Sequence, residues 1–205
     1  MSQHPTPADR AYFDQLYAGG QDPYGVHARW YEARKRAVLL AGLPRRRYRW
    51  AYEPGCGAAA LTLELAMRCD RVLASDFSAS AVAAARVRVE GLPRVRVAQH
   101  ALPEDWPHGQ APFDLIVLSE IGYFMDANAW QAVALACQAS LAEDGDLVAC
   151  DWRPDFAQRR QSTEQVQAAL GHLGLQRQVL HEEADFVLQV WSRDARSVAQ
   201  REGIR

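Results

Sequence analysis

The sequence has no apolar run near the ~20 residues that a bilayer-spanning helix needs. Its start, Met1-Ser-Gln-His-Pro-Thr-Pro7, lacks the basic and apolar segments of a secretory signal. A cytoplasmic protein without membrane contact is therefore expected. Charge of one sign is also missing: 23 Lys and Arg stand against 25 Asp and Glu, for a net charge of -2. No overall field gathers a polyanion, so no nucleic-acid partner is expected. The basic cluster Arg45-Arg46-Arg47 is short and reads as a solvated loop. Cysteine is scarce. Cys56, Cys69, Cys137 and Cys150 are scattered without metal-ligand spacing. They suit small buried hydrophobes in a reducing compartment, and no metal is expected. Repeats, low-complexity tracts and long linkers are absent as well. The 205 residues thus read as one domain, with cap helices over 1–44 and an α/β core over 45–205.

What the sequence does have is alternation of strand and helix patterns. An amphipathic segment over 8–18 carries Tyr12, Phe13, Leu16 and Tyr17 and stops at Gly19-Gly20. A second helix is expected from Gly25 to Ala41, with an apolar face that includes Trp30, Ala33, Ala37 and Leu40. Strands follow at 49–53, 71–75, 94–100, 113–119 and 146–152, with helices at 58–69, 78–90 and 127–142. The turn Glu143-Asp-Gly145 is expected before the fifth strand. The chain closes with a helix over 162–173 and two strands, 175–182 and 185–192, joined by a short polar link. Such alternation implies an α/β fold with a doubly wound, mostly parallel sheet and a C-terminal antiparallel hairpin. The aromatic residues Tyr12, Tyr17, Tyr24 and Trp30 lie before the first strand and suggest N-terminal lid helices.

The most informative stretch is Trp50-Ala-Tyr-Glu-Pro-Gly-Cys-Gly-Ala-Ala-Ala-Leu-Thr62. It reads as a buried strand, a glycine turn and a helix start. Gly55 and Gly57 let the backbone bend sharply and let a ligand approach it. The match to a G-x-G-x-x-G dinucleotide turn is incomplete, because Ala60 holds the third glycine position. Glu53 stands beside the turn. A carboxylate there repels a pyrophosphate but accepts a hydrogen bond from an α-ammonium group. Asp76 ends the next strand, where an acid can bind ribose hydroxyls. Asp76 also reads as a helix N-cap, although Ser78 fills that position more naturally. The pair suits a ligand with an amino-acid end and a ribose, as in S-adenosylmethionine. Cys56 lies inside the turn with no histidine or base beside it to make it a nucleophile.

These residues resemble a family. Over nearly its full length the chain is similar to the class I S-adenosylmethionine-dependent methyltransferases, and more narrowly to their NodS-like group, which includes a nodulation N-methyltransferase acting on chitooligosaccharide signals. The motifs are Tyr12-Phe-Asp-Gln-Leu-Tyr17, Asp22-Pro-Tyr24, Trp30-Tyr-Glu-Ala-Arg-Lys35, Glu53-Pro-Gly-Cys56 with Leu61-Thr62, Leu102-Pro-Glu-Asp-Trp-Pro107 and Phe113-Asp-Leu-Ile-Val-Leu-Ser-Glu-Ile-Gly-Tyr-Phe124. The group commonly reads Glu-Pro-Gly-Cys-Ser-x-Gly at the turn. Gly57 stands here in place of that Ser, and Ala59 in place of the second glycine. Tyr24 replaces a frequent Trp, and Asp151 replaces a frequent His before Trp152.

The resemblance implies a Rossmann-like fold that binds S-adenosylmethionine at its strand ends. Glu53 with the Gly55-Cys56-Gly57 backbone would hold the methionine moiety, and Asp76 the ribose. Phe77 would lie beside the adenine, His100 and Ala101 at its edge, and Ser119 at the fourth strand end. Arg34 would meet the cofactor carboxylate, although it reads equally as part of a solvated helix face. Glu120, Tyr123 and Asp151 are the candidates for orienting a nitrogen acceptor and taking its proton. Trp106 and Trp152 are read either as pocket walls or as core. The expected acceptor is a small molecule or an amino sugar, and the sequence says nothing of oligomeric state. Two other functions share the early turn: a non-catalytic cofactor-binding module and an NAD-dependent oxidoreductase. The latter is disfavoured by Glu53, Ala60 and the lack of a Tyr-x-x-x-Lys pair. A nucleic-acid methyltransferase would show an Asn/Asp-Pro-Pro-aromatic motif after the fourth strand, where Ser119-Glu-Ile-Gly122 stands instead.

Overall fold

The computed structural model describes residues 7–18 and 22–205. Its centre is a seven-stranded sheet of β1 (Tyr48–Pro54), β2 (Cys69–Asp76), β3 (Val95–Gln99), β4 (Phe113–Ser119), β5 (Leu141–Trp152), β6 (Gln176–Glu182) and β7 (Phe186–Ser192). The order is β3-β2-β1-β4-β5-β7-β6. The first five strands are mutually parallel. β7 runs antiparallel to both β5 and β6, as the closing hairpin pattern implied. The apolar run of β4 marks a strand covered on both faces. Its side chains alternate: Leu115 and Val117 join one core cluster, Ile116 and Leu118 the other.

Each face has its own helices. Leu39 and Leu43 at the end of α2 (Trp30–Gly42), with Leu61 and Leu65 of α3 (Ala60–Arg68), cover Val72, Val148 and Leu188. On the opposite face Trp130 and Val133 of α5 (Ala127–Ser140), with Val166 and Leu170 of α6 (Thr163–Gly171), cover Tyr52, Leu73 and Leu147. α4 (Ala79–Arg88) packs on β2 and β3. Among the described residues no helix is long and apolar enough to cross a membrane. Strand order reverses between β1 and β4, so the crevice at their carboxyl ends is where an open α/β sheet takes its ligand.

Three local expectations are corrected. α2 begins at Trp30, not Gly25, because the Asp22 carboxylate accepts from the amides of Val26 (2.7 Å) and His27 (3.0 Å) and closes a turn before the helix. α5 ends at Ser140, and β5 starts at once. The expected turn Glu143-Asp-Gly145 is an irregularity inside β5, where pairing steps from Phe113 opposite Leu141 to Leu115 opposite Asp146. A short helix, α7 (Val198–Arg201), was not signalled; Ser197 and Gln200 form its capping box. The helix α1 (Pro7–Ala18) matches the expected segment.

Candidate active site at the carboxyl ends of the strands

β1 delivers Glu53 to the edge of the crevice, and the chain then turns through three left-handed residues: Gly55 (φ +70°), Gly57 (φ +51°) and Ala59 (φ +62°). A Cβ on Gly55 would lie 2.2 Å from Ile121 Cγ2, and one on Gly57 would lie 2.5 Å from Tyr17 Oη. Both positions require glycine by conformation and by space. Ala59 holds a left-handed conformation that favours glycine, at a cost of roughly 1–2 kcal/mol.

Asp76 braces this turn from β2. Its Oδ2 accepts from the Gly57 amide and its Oδ1 from the Ser78 amide, each at 3.0 Å. Ser78 caps α4 by accepting from the Ala81 amide at 3.3 Å, as expected. With the Phe77 amide as well, the carboxylate accepts three backbone bonds, which leaves one of its roughly four acceptor sites. Burial pushes its carboxyl up to about 6, against the pull of the Ser78 and Gly57 amides. Glu53 is more enclosed. It accepts from Thr62 Oγ1 at 2.6 Å, and burial pushes it up to about 8. A cationic partner would restore its charge. The Cys56 thiol is buried, and burial pushes it well above the ordinary range, so it is an inert part of the turn.

The far end of the crevice lies beyond β2 and β3. Phe77 is half-buried and meets Phe13 of α1 edge-on at 5.3 Å; Phe13 also meets Phe124 at 5.1 Å. Asp14 accepts from Ser78 Oγ at 2.5 Å. These contacts, with Tyr17 over Gly57, lay α1 across the strand ends. Trp30 is not part of this cover, being 77% exposed. The His100 amide donates to the Asp76 carbonyl at 3.0 Å. Its Nδ1 is buried without a hydrogen-bond partner among the described residues, and burial holds its pKa below the ordinary value. The Ala101 amide is taken by Asp105 Oδ2 at 2.9 Å, so it is not open to an adenine edge.

At the other end, β4 and β5 carry the remaining candidates. Ser119 is half-buried where β4 stops, paired with Cys150. Glu120 follows in the left-handed region (φ +63°). Its Oε1 accepts from Lys35 Nζ at 2.5 Å; its Oε2 accepts from the Trp152 amide at 2.8 Å and from the Tyr123 hydroxyl. Tyr123 is buried against Phe124 and Phe156, with the Arg159 guanidinium 4.9 Å from its ring centre. Burial and then Glu120 hold its phenol well above the ordinary range. Lys35 also bonds Glu32 (3.3 Å) and lies 5.3 Å from the Tyr31 ring centre. Tyr31 packs edge-on to Trp152, and its hydroxyl is buried without a hydrogen-bond partner among the described residues.

Two candidates are not brought to this cluster. Asp151 is buried at the layer under α6, bonded to Gln167 Nε2 at 2.5 Å, and burial followed by Glu120 pushes it up to about 8. Its carboxylate is thus engaged with Gln167 on the α6 side of the sheet, within electrostatic reach of Glu120 and Tyr123. Arg34 is committed to Glu183 through two 2.8 Å bonds. Trp106 is core, bonded to Ser140 and packed on Tyr52. A separate groove of about 710 Å³ between α6 and the β6–β7 hairpin, lined in part by Arg177, Leu180 and Gln189, borders this region through Thr163, Gln167 and Arg153. Sequence reasoning missed Tyr31 and Lys35. Their signal was helical phase, since they precede the buried Leu39 at i−8 and i−4.

Comparison with known proteins fits this geometry. A methyltransferase domain model matches residues 51–145. A Pseudomonas syringae protein assigned to the methyltransferases is 44% identical, with a TM-score of 0.72, covering 80% of this chain and 99% of that one. The chain belongs to the methyltransferase family. The N-methyltransferase NodS from Bradyrhizobium japonicum, in complex with S-adenosyl-L-homocysteine, shares the fold at TM-score 0.78 and 22% identity, over 89% of this chain and 97% of that one. A DhpI–SAM–HEP complex does so at 0.71 and 18%, over 93% and 99%. No curated protein matches the chain. As a methyltransferase of this fold it uses S-adenosylmethionine, and the family match displaces the oxidoreductase alternative. The residues present suit that cofactor: a left-handed glycine cradle, an enclosed acid at Glu53, Asp76 with a spare acceptor site and an unpaired His100 Nδ1.

Proposed function

We propose that this methyltransferase acts on a nitrogen of a small molecule, with amino sugars as the acceptor class. The observation that carries the reading is the buried Tyr31 hydroxyl, without a hydrogen-bond partner among the described residues, on a ring that lies against Lys35, the ammonium paired with Glu120. A buried hydroxyl without a partner costs ~1–3 kcal/mol. An amine entering between Tyr31 and Glu120 satisfies that hydroxyl and meets a negative charge among aromatic rings. The fold shared with the N-methyltransferase NodS supports the same choice.

Bound S-adenosylmethionine supplies a methyl already activated on sulfonium. The protein's contribution is to hold and exclude. Glu53 and the Gly55-Cys56-Gly57 backbone hold the amino-acid end, and Asp76 holds the ribose. Phe77 and His100 would take the adenine, with Ala101 as wall, and Ser119 would line the crevice at the end of β4. α1 covers the crevice as a lid through Phe13, Asp14 and Tyr17. Glu120 and Tyr123 orient the acceptor. Glu120 already accepts three hydrogen bonds, so the amine loses its proton to water at the crevice mouth, not to a carboxylate inside. Such positioning can supply ~7–11 kcal/mol of barrier lowering.

A methyl-transfer screen against deacetylated glucosamine oligomers and small amines, read by S-adenosylhomocysteine formation, checks this. Turnover is expected with the free amines and not with their N-acetylated forms. Turnover confined to hydroxyl compounds would overturn the nitrogen assignment.

A further inference from the structure

We propose that Lys35 is a positioning residue for methyl transfer: a buried ammonium that arranges the acceptor end without touching the reacting atoms. The inference rests on the acceptor end lying at Glu120 and Tyr31. Lys35 is 6% exposed, and its Nζ reaches Glu120 at 2.5 Å and Glu32 at 3.1 Å. Burial alone would lower its pKa, but Glu120 and Glu32 outweigh burial and keep it charged. A buried ion pair is a poor stability device, since an apolar replacement of both partners is often neutral or stabilising. What Lys35 provides here is order.

Glu120 sits in the left-handed region, its amide bonded to the Cys150 carbonyl, and of the three groups that donate to its carboxylate Lys35 is the one that is charged. Through Glu120 it is linked to the Tyr123 hydroxyl and the Trp152 amide, while the Trp152 carbonyl is held separately by Thr163 and Arg159. Its ammonium also lies 5.3 Å from the centre of the Tyr31 ring. The Glu120 carboxylate and the two groups that donate to it therefore share one ammonium from α2, with the Tyr31 ring against it. The glycine turn and Asp76, which face the cofactor, make none of these contacts. Removing the ammonium leaves Glu32 and Glu120 without their shared cation and frees the Glu120 side chain to swing.

Lys35→Met in the full chain separates these roles. Expected are a fall in kcat of at least 30-fold with whichever acceptor the wild type methylates, a Kd for S-adenosylhomocysteine within threefold of wild type, and at least tenfold faster amide exchange at Trp152. The Cys56 amide, which bonds the Ser75 carbonyl, should exchange at its wild-type rate. Lys35→Arg should restore part of kcat. Should Lys35→Met fail to fold, Lys35→Gln keeps a donor without the charge and is read the same way. A kcat within threefold, an equal loss of cofactor affinity, or unchanged Trp152 exchange would overturn the proposal. If the wild type methylates no amine, the nitrogen assignment fails alone; Trp152 exchange and its reversal by Lys35→Arg still decide the role of Lys35.

Discussion

Asp76 braces the glycine turn and, in the proposed site, holds the ribose, and one substitution removes both roles. Asp76→Ala is expected to weaken S-adenosylhomocysteine binding by about 1–3 kcal/mol in calorimetry, because ribose hydroxyls and the Gly57 and Ser78 amides lose a charged acceptor. Unchanged affinity would remove Asp76 from the site. Burial also makes stability depend on pH. Glu53 and Asp151 are pushed up to about 8 and Asp76 to about 6, from ordinary values of 4.5 and 3.8. At these three acids the folded chain then holds more protons than the unfolded chain between about pH 4 and pH 8, so their contribution falls as pH rises across that window, outweighing the opposite sense of His27 and His100, whose pKa values burial lowers. Urea midpoints of the ligand-free protein should decline from pH 5 to pH 8, and less steeply with cofactor bound, since an ammonium beside Glu53 favours its charged form. A midpoint that climbs would contradict this. Glu53 and Asp76 were legible in the sequence because each ends an apolar strand beside a turn. Lys35 was hidden among Arg34 and Arg36, and Asp151 looked accessible because strand-end position does not reveal which layer a side chain enters.

The glycine turn and α1 act as a unit. Gly57→Ala places a methyl 2.5 Å from Tyr17 Oη but 3.6 Å from Tyr17 Cζ, on a backbone with φ +51°. Cofactor affinity should fall, through a displaced α1 as well as strain. Tyr17→Phe removes the clashing oxygen and should recover part of the loss, giving a coupling of about 0.5–3 kcal/mol in a double-mutant cycle. Strict additivity would mean that α1 does not rest on the turn. The strands of this region could be read from their apolar runs and the start of α4 from Ser78, which caps as expected; Ser162 caps α6 with a capping box that was not anticipated. The misread segments are those where a side chain competes with the backbone, as Asp22 does before α2, or where a turn-like triplet is absorbed into a strand, as at Gly145.

At the scale of the molecule, strand–helix alternation was enough to give the doubly wound sheet, because parallel strands with helical crossovers have few alternatives. The reversal of strand order between β1 and β4 gathers Glu53, Asp76, His100 and Glu120 from four separate strand ends into one crevice. None of them is close to another in sequence, so their meeting is a property of the topology. The acceptor was less legible, since a fold hosts many chemistries and the acceptor end depends on α2, whose contacts no strand pattern specifies. The decisive measurement is NMR of the product formed from isotopically methyl-labelled S-adenosylmethionine and a deacetylated glucosamine oligomer. The labelled methyl is expected on the amine nitrogen, with formation abolished by N-acetylation of the acceptor. A labelled methyl on oxygen or carbon, or none transferred while the cofactor binds, would contradict the assignment.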